Sequence, residues 1–321
     1  MACYHPIEAW NISSIPGEVD LTFSRAVAAN YGVPQSFPVP CRHCVGCRLD
    51  YSRQWADRCL LEMQDHDESW FLTLTYDDDH LPKTFNVDLR TGEAMFPVAT
   101  LVSRDFQLFI KRLRKNSGQS IRYFACGEYG ATGLRPHYHM LAFGLHLDLS
   151  DLIHIGTSPL GDKLYQSHFL DFCWGKGFVT IGSATWASAG YIARYTLKKI
   201  KGDLQYDDFI AAGLEPPFLR MSRRPGLGRR YLDTHPDLFK FRRINIRTET
   251  GGKSMPIPHY YRQVDREVNP EAYLFDTLER RKSFVTQNSL KKSLTDLELC
   301  DILSIEERQR LSSSKSLIRR L

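Results

Sequence analysis

Apolar positions recur at strand and helix spacings along this chain, and together they predict an α+β protein. Phe71-Leu72-Thr73-Leu74-Thr75-Tyr76 reads as a strand ended by Asp77-Asp78-Asp79. Phe106, Phe109, Ile110 and Leu113 mark one helix face, with Ser103 as N-cap and Asp105 in the first turn. Ile121-Arg122-Tyr123-Phe124-Ala125-Cys126 and residues 137–143 are two further strands. The turn between them is rich in glycine (Gly127, Gly130, Gly133), which predicts a hairpin. Phe178-Val179-Thr180-Ile181 is a fourth strand, and residues 185–200 a second core helix. A further helix over 48–66 carries Leu49, Trp55, Leu60 and Met63 among charges. This order implies an antiparallel sheet with helices packed on it.

The rest is weakly patterned. Residues 1–47 are loop-rich, with Pro6, Pro16, Pro34, Pro38 and Pro40, and close on three cysteines. Residues 80–102 read as an insertion and 145–176 as irregular. The last 35 residues are Ser/Lys-rich, with a short peripheral helix near 294–311. The expected division is 1–66 for the Cys-cluster segment and its helix, 67–200 for the core, and 201–321 for a basic C-terminal region.

Charge changes the picture locally. The net charge of +5 is mild, but residues 220–247 hold nine Lys/Arg against Asp233 and Asp237. Such a segment suits phosphate contacts, with Arg220, Arg223, Arg224, Arg229 and Arg230 as the candidates; taken alone, a solvated basic loop accounts for it as well. No apolar run spans a bilayer and no signal-peptide pattern opens the chain, so a cytosolic protein without a membrane partner is expected. Its eight cysteines should then be reduced or metal-bound.

The candidate chemistry lies in three places. His137 and His139, two residues apart on a strand, point to one face. Glu128, at the end of the preceding strand, offers a third ligand across the hairpin. Two imidazoles and a carboxylate leave coordination positions open for a phosphate oxygen and fit Mn²⁺ or Mg²⁺, with Zn²⁺ not excluded. On a helical wheel of 185–200, Trp186, Ala189, Ala193, Leu197 and Ile200 form the apolar face. Tyr191, Tyr195 and Lys198 lie almost opposite, where half-buried aromatics with wet hydroxyls are a common alternative to nucleophiles. Finally, Cys41-x-x-Cys44-x-x-Cys47 has thiolate-ligand spacing. Tyr51 stands where an iron–sulfur motif needs cysteine, which favours structural zinc. Cys3, His43, His5 or Cys59 could complete the shell, and Cys3 is preferred because it would pin the N-terminus. Gly251-Gly252-Lys253-Ser254 is not a phosphate loop: Arg247 stands where glycine is required, and Pro256 and Pro258 disfavour the helix that should follow.

These motifs together resemble the HUH endonuclease superfamily, and more closely the gokushovirus-type replication-initiation proteins of microviruses. The likeness runs from the cysteine cluster to about Arg230. It includes residues 71–78, Tyr123-Phe124-Ala125-Cys126-Gly127-Glu128-Tyr129-Gly130, the His137/His139 strand, the helix of Tyr191 and Met221-Ser222-Arg223-Arg224-Pro225-Gly226. The resemblance implies a ferredoxin-like sheet with the histidines on a central strand, a divalent metal on the scissile phosphate, and a tyrosine that stays linked to the 5′ end. The freed 3′ hydroxyl would serve a polymerase, and two tyrosines would permit alternate attack. Partners would be single-stranded DNA at a replication origin and the host's polymerase. Unwinding would fall to the host's helicase, in the cytoplasm of a bacterial cell. A relaxase or transposase of the same chemistry, or a non-catalytic zinc-bearing nucleic-acid binder using Tyr231, Phe239 and Phe241 as stacking surfaces, are the competing readings.

Overall fold

A computed structural model describes residues 3–15, 19–87, 91–130, 133–159, 161–198, 206–248 and 251–318. The chain begins with β1 (Ile7–Asn11), β2 (Leu21–Thr22), α1 (Arg25–Asn30), β3 (Phe37–Val39) and α2 (Val45–Met63). Next come β4 (Ser69–Tyr76), β5 (Lys83–Val87), β6 (Ala94–Ala99), α3 (Ser103–Ser117), β7 (Arg122–Tyr129) and β8 (Pro136–Phe143). They are followed by β9 (Leu152–Thr157), β10 (Lys163–Ser167), α4 (His168–Trp174), β11 (Gly177–Ser183) and α5 (Trp186–Lys198). The last elements are α6 (Tyr206–Ala211), β12 (Phe218–Met221), α7 (Arg229–Thr234), β13 (Arg243–Thr248), β14 (Gly251–Pro256), α8 (His259–Val268), α9 (Pro270–Ser293) and α10 (Leu299–Ile318).

Two compact units result: Met1–Tyr51 with Arg242–Leu321, and Ser52–Phe241. The second is built on a seven-stranded antiparallel sheet of order β12-β7-β8-β4-β11-β10-β9. Alternation sorts the side chains by face. Leu72, Leu74, Tyr138, Met140, Val179 and Ile181 pack on one side with Phe106, Phe109 and Leu113 of α3 and Leu170 and Trp174 of α4. Phe124, Cys126, Leu141 and Phe143 pack on the other with Ala56 and Cys59 of α2 and Ala189, Ile192 and Ala193 of α5. Tyr138, between the two histidines in sequence, therefore faces away from them. Its hydroxyl lies 2.8 Å from that of Tyr76, 2.9 Å from Val102 O and 3.0 Å from Val102 N. Burial pushes both phenols up from their usual range, so they remain neutral donors.

In the first unit β1 pairs with β2 and β3, and β13 with β14. Gly251-Gly252-Lys253-Ser254 forms the start of β14, so no phosphate loop exists there.

The sequence reading is corrected in several places. Residues 1–47 hold three short strands and a helix, not loop alone. Residues 80–102 contain the β5–β6 hairpin. Residues 145–176, read as irregular, supply β9, β10 and α4. As edge and near-edge strands, β9 and β10 bury little, and Ile153 and Ile155 are exposed. The tail carries two long helices rather than one short one, and α10 begins at Leu299. Ser103 is the first residue of α3, not its cap. Val102 occupies the N-cap without a side-chain bond, and the Ser103 N–H instead donates to the Glu215 carboxylate at 2.9 and 3.1 Å.

The buried Glu62 of α2 ties three elements together. It accepts from Arg122 of β7, from the Gly228 N–H at 2.6 Å and from His66 at 3.2 Å. Burial alone would raise its carboxyl, but these donors hold it below the usual value. Its stabilisation is therefore complete above the ordinary glutamate pKa of about 4.3 and is lost as pH falls through the depressed folded value. Glu62→Gln should cost about 3 kcal/mol in urea titrations at pH 7, and the deficit should shrink as pH falls toward 3.

Candidate metal and phosphoryl-transfer site

The register of three strands builds the site. Glu128 of β7 stands directly opposite His137 of β8. His139 stands opposite Thr73 of β4, and His137 opposite Thr75. Because β7 ends at Tyr129 and β8 begins at Pro136, their pairing is local in sequence, and it sets the carboxylate beside both rings.

Glu128 is 2 % exposed and His139 7 %. Glu128 Oε1 lies 2.8 Å from His137 Nε2 and 2.9 Å from His139 Nε2. One ligand atom from each residue falls within 4.8 Å of the others. The far ring nitrogens are also engaged. His137 Nδ1 donates to Arg135 O at 3.1 Å, and His139 Nδ1 lies 2.9 Å from Thr73 Oγ1. A ring that donates through Nδ1 presents a lone pair at Nε2, the state in which imidazole binds a metal. His137 Nε2 meets the Glu128 carboxylate oxygen at 2.8 Å, a contact that a bound cation or a proton on the ring can hold together. Glu128 Oε2 is buried without a hydrogen-bond partner. These features fit a divalent cation, and the mixed nitrogen and oxygen donors leave room for further oxygen ligands.

Helix α5 brings Tyr191 to this cluster. Its hydroxyl is 3.5 Å from Glu128 Oε1 and 3.5 Å from His139 Nε2. Its ring meets that of His139 edge-on, with centroids 5.1 Å apart. Phe71 stacks on His139 at 5.4 Å and touches Tyr191 edge-on at 6.2 Å. Tyr195 and Lys198 belong to the same helix, but their side chains lie outside the described residues. Ile200, expected on the apolar face, also falls outside them, and Ile192 proves part of the buried face. Phe71 and Thr73 were missed by sequence reasoning. Their i, i+2 spacing on one strand was a signal, but only pairing with β8 gives it meaning.

The arginines lie elsewhere. Arg220 shares a face with Phe218, over whose ring its guanidinium sits at 5.2 Å, and so projects from the side opposite the histidines. Met221 pairs with Phe124, so the chain then runs toward the start of β7, where Arg122 donates to Pro225 O at 2.8 Å. That end lies roughly 20 Å from Glu128 at about 3.4 Å per residue. Arg223, Arg224 and Arg230 are exposed there, while Arg229 pairs with Asp233 at 2.7 Å.

In the other unit Cys3, Cys41, Cys44 and Cys47 bring four sulfurs within 4.8 Å of one another. Backbone N–H groups point at them: Cys41 N to Cys3 Sγ at 3.2 Å, Cys44 N to Cys41 Sγ at 3.3 Å, and Tyr4 N to Cys44 Sγ at 3.3 Å. Arg42 adopts φ 63°, the left-handed turn that aims these donors inward. Burial pushes the Cys44 thiol up, but N–H donation from Tyr4 and Cys47 outweighs it and brings the thiol to about 7. Four soft donors, thus supported, could hold a thiophilic metal. His5 is instead 2.6 Å from Glu307, and Cys59 is fully buried in the sheet unit.

A family model for replication-associated proteins of the ORF2 type matches residues 69–200, the span from β4 through α5. The chain is 34% identical over 334 residues to the replication-associated protein ORF2 of Spiroplasma virus 4, covering 100% of this chain and 98% of that protein. It is 32% identical over 273 residues to the replication-associated protein VP4 of Bdellovibrio phage phiMH2K, covering 81% of this chain and 79% of that protein. Over 284 residues it is 28% identical to the replication-associated protein ORF4 of Chlamydia phage 1, covering 84% and 66%. No solved structure matches the chain. With its whole length matched in one relative and with the family model spanning the strands and helix that build the site, the chain belongs to the microvirus replication-associated proteins, the replication initiators of these phages.

Proposed function

We propose that the protein nicks and rejoins single-stranded DNA at its phage's replication origin through a tyrosine linked to the 5′ end. The observation that carries this reading is the Tyr191 hydroxyl, 3.5 Å from both Glu128 Oε1 and His139 Nε2. A phenol beside a three-ligand cation site suits attack on a bound phosphate. Mn²⁺ or Mg²⁺ held by Glu128, His137 and His139 would polarise a phosphate oxygen and favour the ionised phenol. Thr73 and Arg135 O orient the two imidazoles, and Phe71 holds the His139 ring against Tyr191. In this reading the Tyr191 oxygen forms the new bond to phosphorus while the bond from phosphorus to the 3′ oxygen breaks. The phenol loses its proton and the departing 3′ oxygen gains one. The phosphodiester is exchanged rather than hydrolysed, so a 3′ hydroxyl can later reverse the step.

Tyr195, one turn along α5, is assigned the alternate attack, and Lys198 the electrostatic support of a phenolate. The exposed Arg223, Arg224 and Arg230 would hold flanking phosphates away from the reacting one. Host helicase and polymerase would open the duplex and extend the freed 3′ end. Zn²⁺ on the four cysteines would be structural, since a closed thiolate shell leaves no catalytic position.

On a denaturing gel with genomic single-stranded fragments and Mn²⁺, the wild type should give a cut and a protein–DNA adduct. Tyr191→Phe should reduce the adduct by more than about 100-fold, and the variant lacking both phenols should give none. Adducts from the double variant would refute the nucleophile assignment. His139→Ala should lose cleavage yet keep salt-sensitive DNA binding.

For the cysteines, Co²⁺ loading should produce a thiolate charge-transfer band, and chelation should lower the melting temperature. Cys44→Ser should weaken the band and blunt the response to chelator. An unchanged band in that variant would remove the four-thiolate assignment.

A further inference from the structure

The row of paired residues that contains the cluster does not stop at the histidines. Glu128 pairs with His137, His137 with Thr75, and Thr75 with Phe178 of β11. Residues paired across neighbouring strands share a face, so all four project to the same side. Helix α5 lies over the β12, β7 and β8 part of that side. Further out the face opens: Phe178 is 45% exposed, and Thr75 and Thr180 are half-buried. Phe178 is the aromatic ring of β11 on this face, and it presents its side chain to water in the same row as the cluster.

Local backbone geometry fixes where β11 starts beside β4. Gly177 has φ 141°, and a β-carbon there would lie 2.3 Å from Thr75 O and 2.5 Å from Asp77 N. The missing side chain lets β11 close against β4 directly beside Phe178. The ring then stands roughly 10 Å from His137, two strand spacings of about 4.8 Å away. β4 and β11 themselves carry no acidic side chain, and Asp77-Asp78-Asp79, which follows β4 at this end, is engaged in part by His80 and Arg135.

We infer that the open half of this face is a binding surface for single-stranded DNA, on which Phe178 stacks a base close to the phosphate held at Glu128, His137 and His139. The inference rests on the nicking reading for the identity of that phosphate. An aromatic ring accepts any base through its face, while hydroxyls such as Thr75 and Thr180 can bond to backbone or base edges without carrying charge. Phe178 is thus a positioning residue: it fixes the strand so that the correct phosphate meets Tyr191.

The test measures binding apart from chemistry. The full-length double variant Tyr191→Phe with Tyr195→Phe, which can capture DNA through neither phenol, is titrated with a fluorescein-labelled 20-mer of thymidine. Phe178→Ala and Phe178→Leu should each weaken binding about tenfold or more, and Phe178→Trp should restore it with quenched indole emission at saturation. Leucine keeps apolar bulk, so loss in that variant separates stacking from packing. Unchanged affinity in both the Ala and Leu variants, or unquenched indole emission from the Phe178→Trp variant at saturating oligonucleotide, would overturn the inference. The adduct gel on wild-type protein runs alongside. No adduct but weakened Phe178→Ala binding defeats the nicking reading and upholds the surface; adducts and equal binding in the two proteins do the reverse.

Discussion

One buried carboxylate sets the terms for the rest of the sheet unit. Glu128 lies between two imidazoles whose outer nitrogens are already engaged, and its second oxygen has no hydrogen-bond partner. Burying such a group is unfavourable unless positive charge meets it. The fold meets that condition by register alone: a hairpin places Glu128 opposite His137, and β4 supplies Thr73 behind His139. A one-residue slip of β8 would turn both rings to the other face and leave the carboxylate stranded. The functional demand and the pairing demand are therefore the same demand.

The two units offer donor sets of different chemistry that could hold a metal. The sheet presents imidazole and carboxylate with an open side, while the cysteine cluster presents four sulfurs with amide donors turned toward them. Hard, exchangeable coordination suits a reacting phosphate; soft, closed coordination suits a fixed loop. Cys41, Arg42 and Cys44 show how little chain this takes, since a single left-handed residue turns the backbone amides inward.

Much of this was legible in the sequence, and the reasons differ by element. The spacing of His137 and His139 and the glycine-rich turn after Glu128 are local signals, and the hairpin forms as read. The apolar face of α3 was equally plain, because Phe106, Phe109, Ile110 and Leu113 all enter the core. Cys3 could only be preferred over its alternatives, since its partners lie about 40 residues away and sequence spacing says nothing of such distances. Strands β9 and β10 escaped because they are short and the alternation Ile153-His154-Ile155 is too brief to mark a strand by itself. Phe71, Thr73 and Phe178 lie in segments that read as strands, but nothing in those segments marks them as site residues. Their meaning lies in which strand stands next to which, a property of topology rather than of any short stretch.

Tyr138 gives the site a further property. Wedged between the histidines in sequence, it is fastened on the far side of the sheet by Tyr76 and by both backbone groups of Val102. That clamp ties β8 to the segment before α3 on the face opposite the imidazoles. The strand that bears the rings is thus anchored from behind, while Tyr191 reaches them from a separate element, α5.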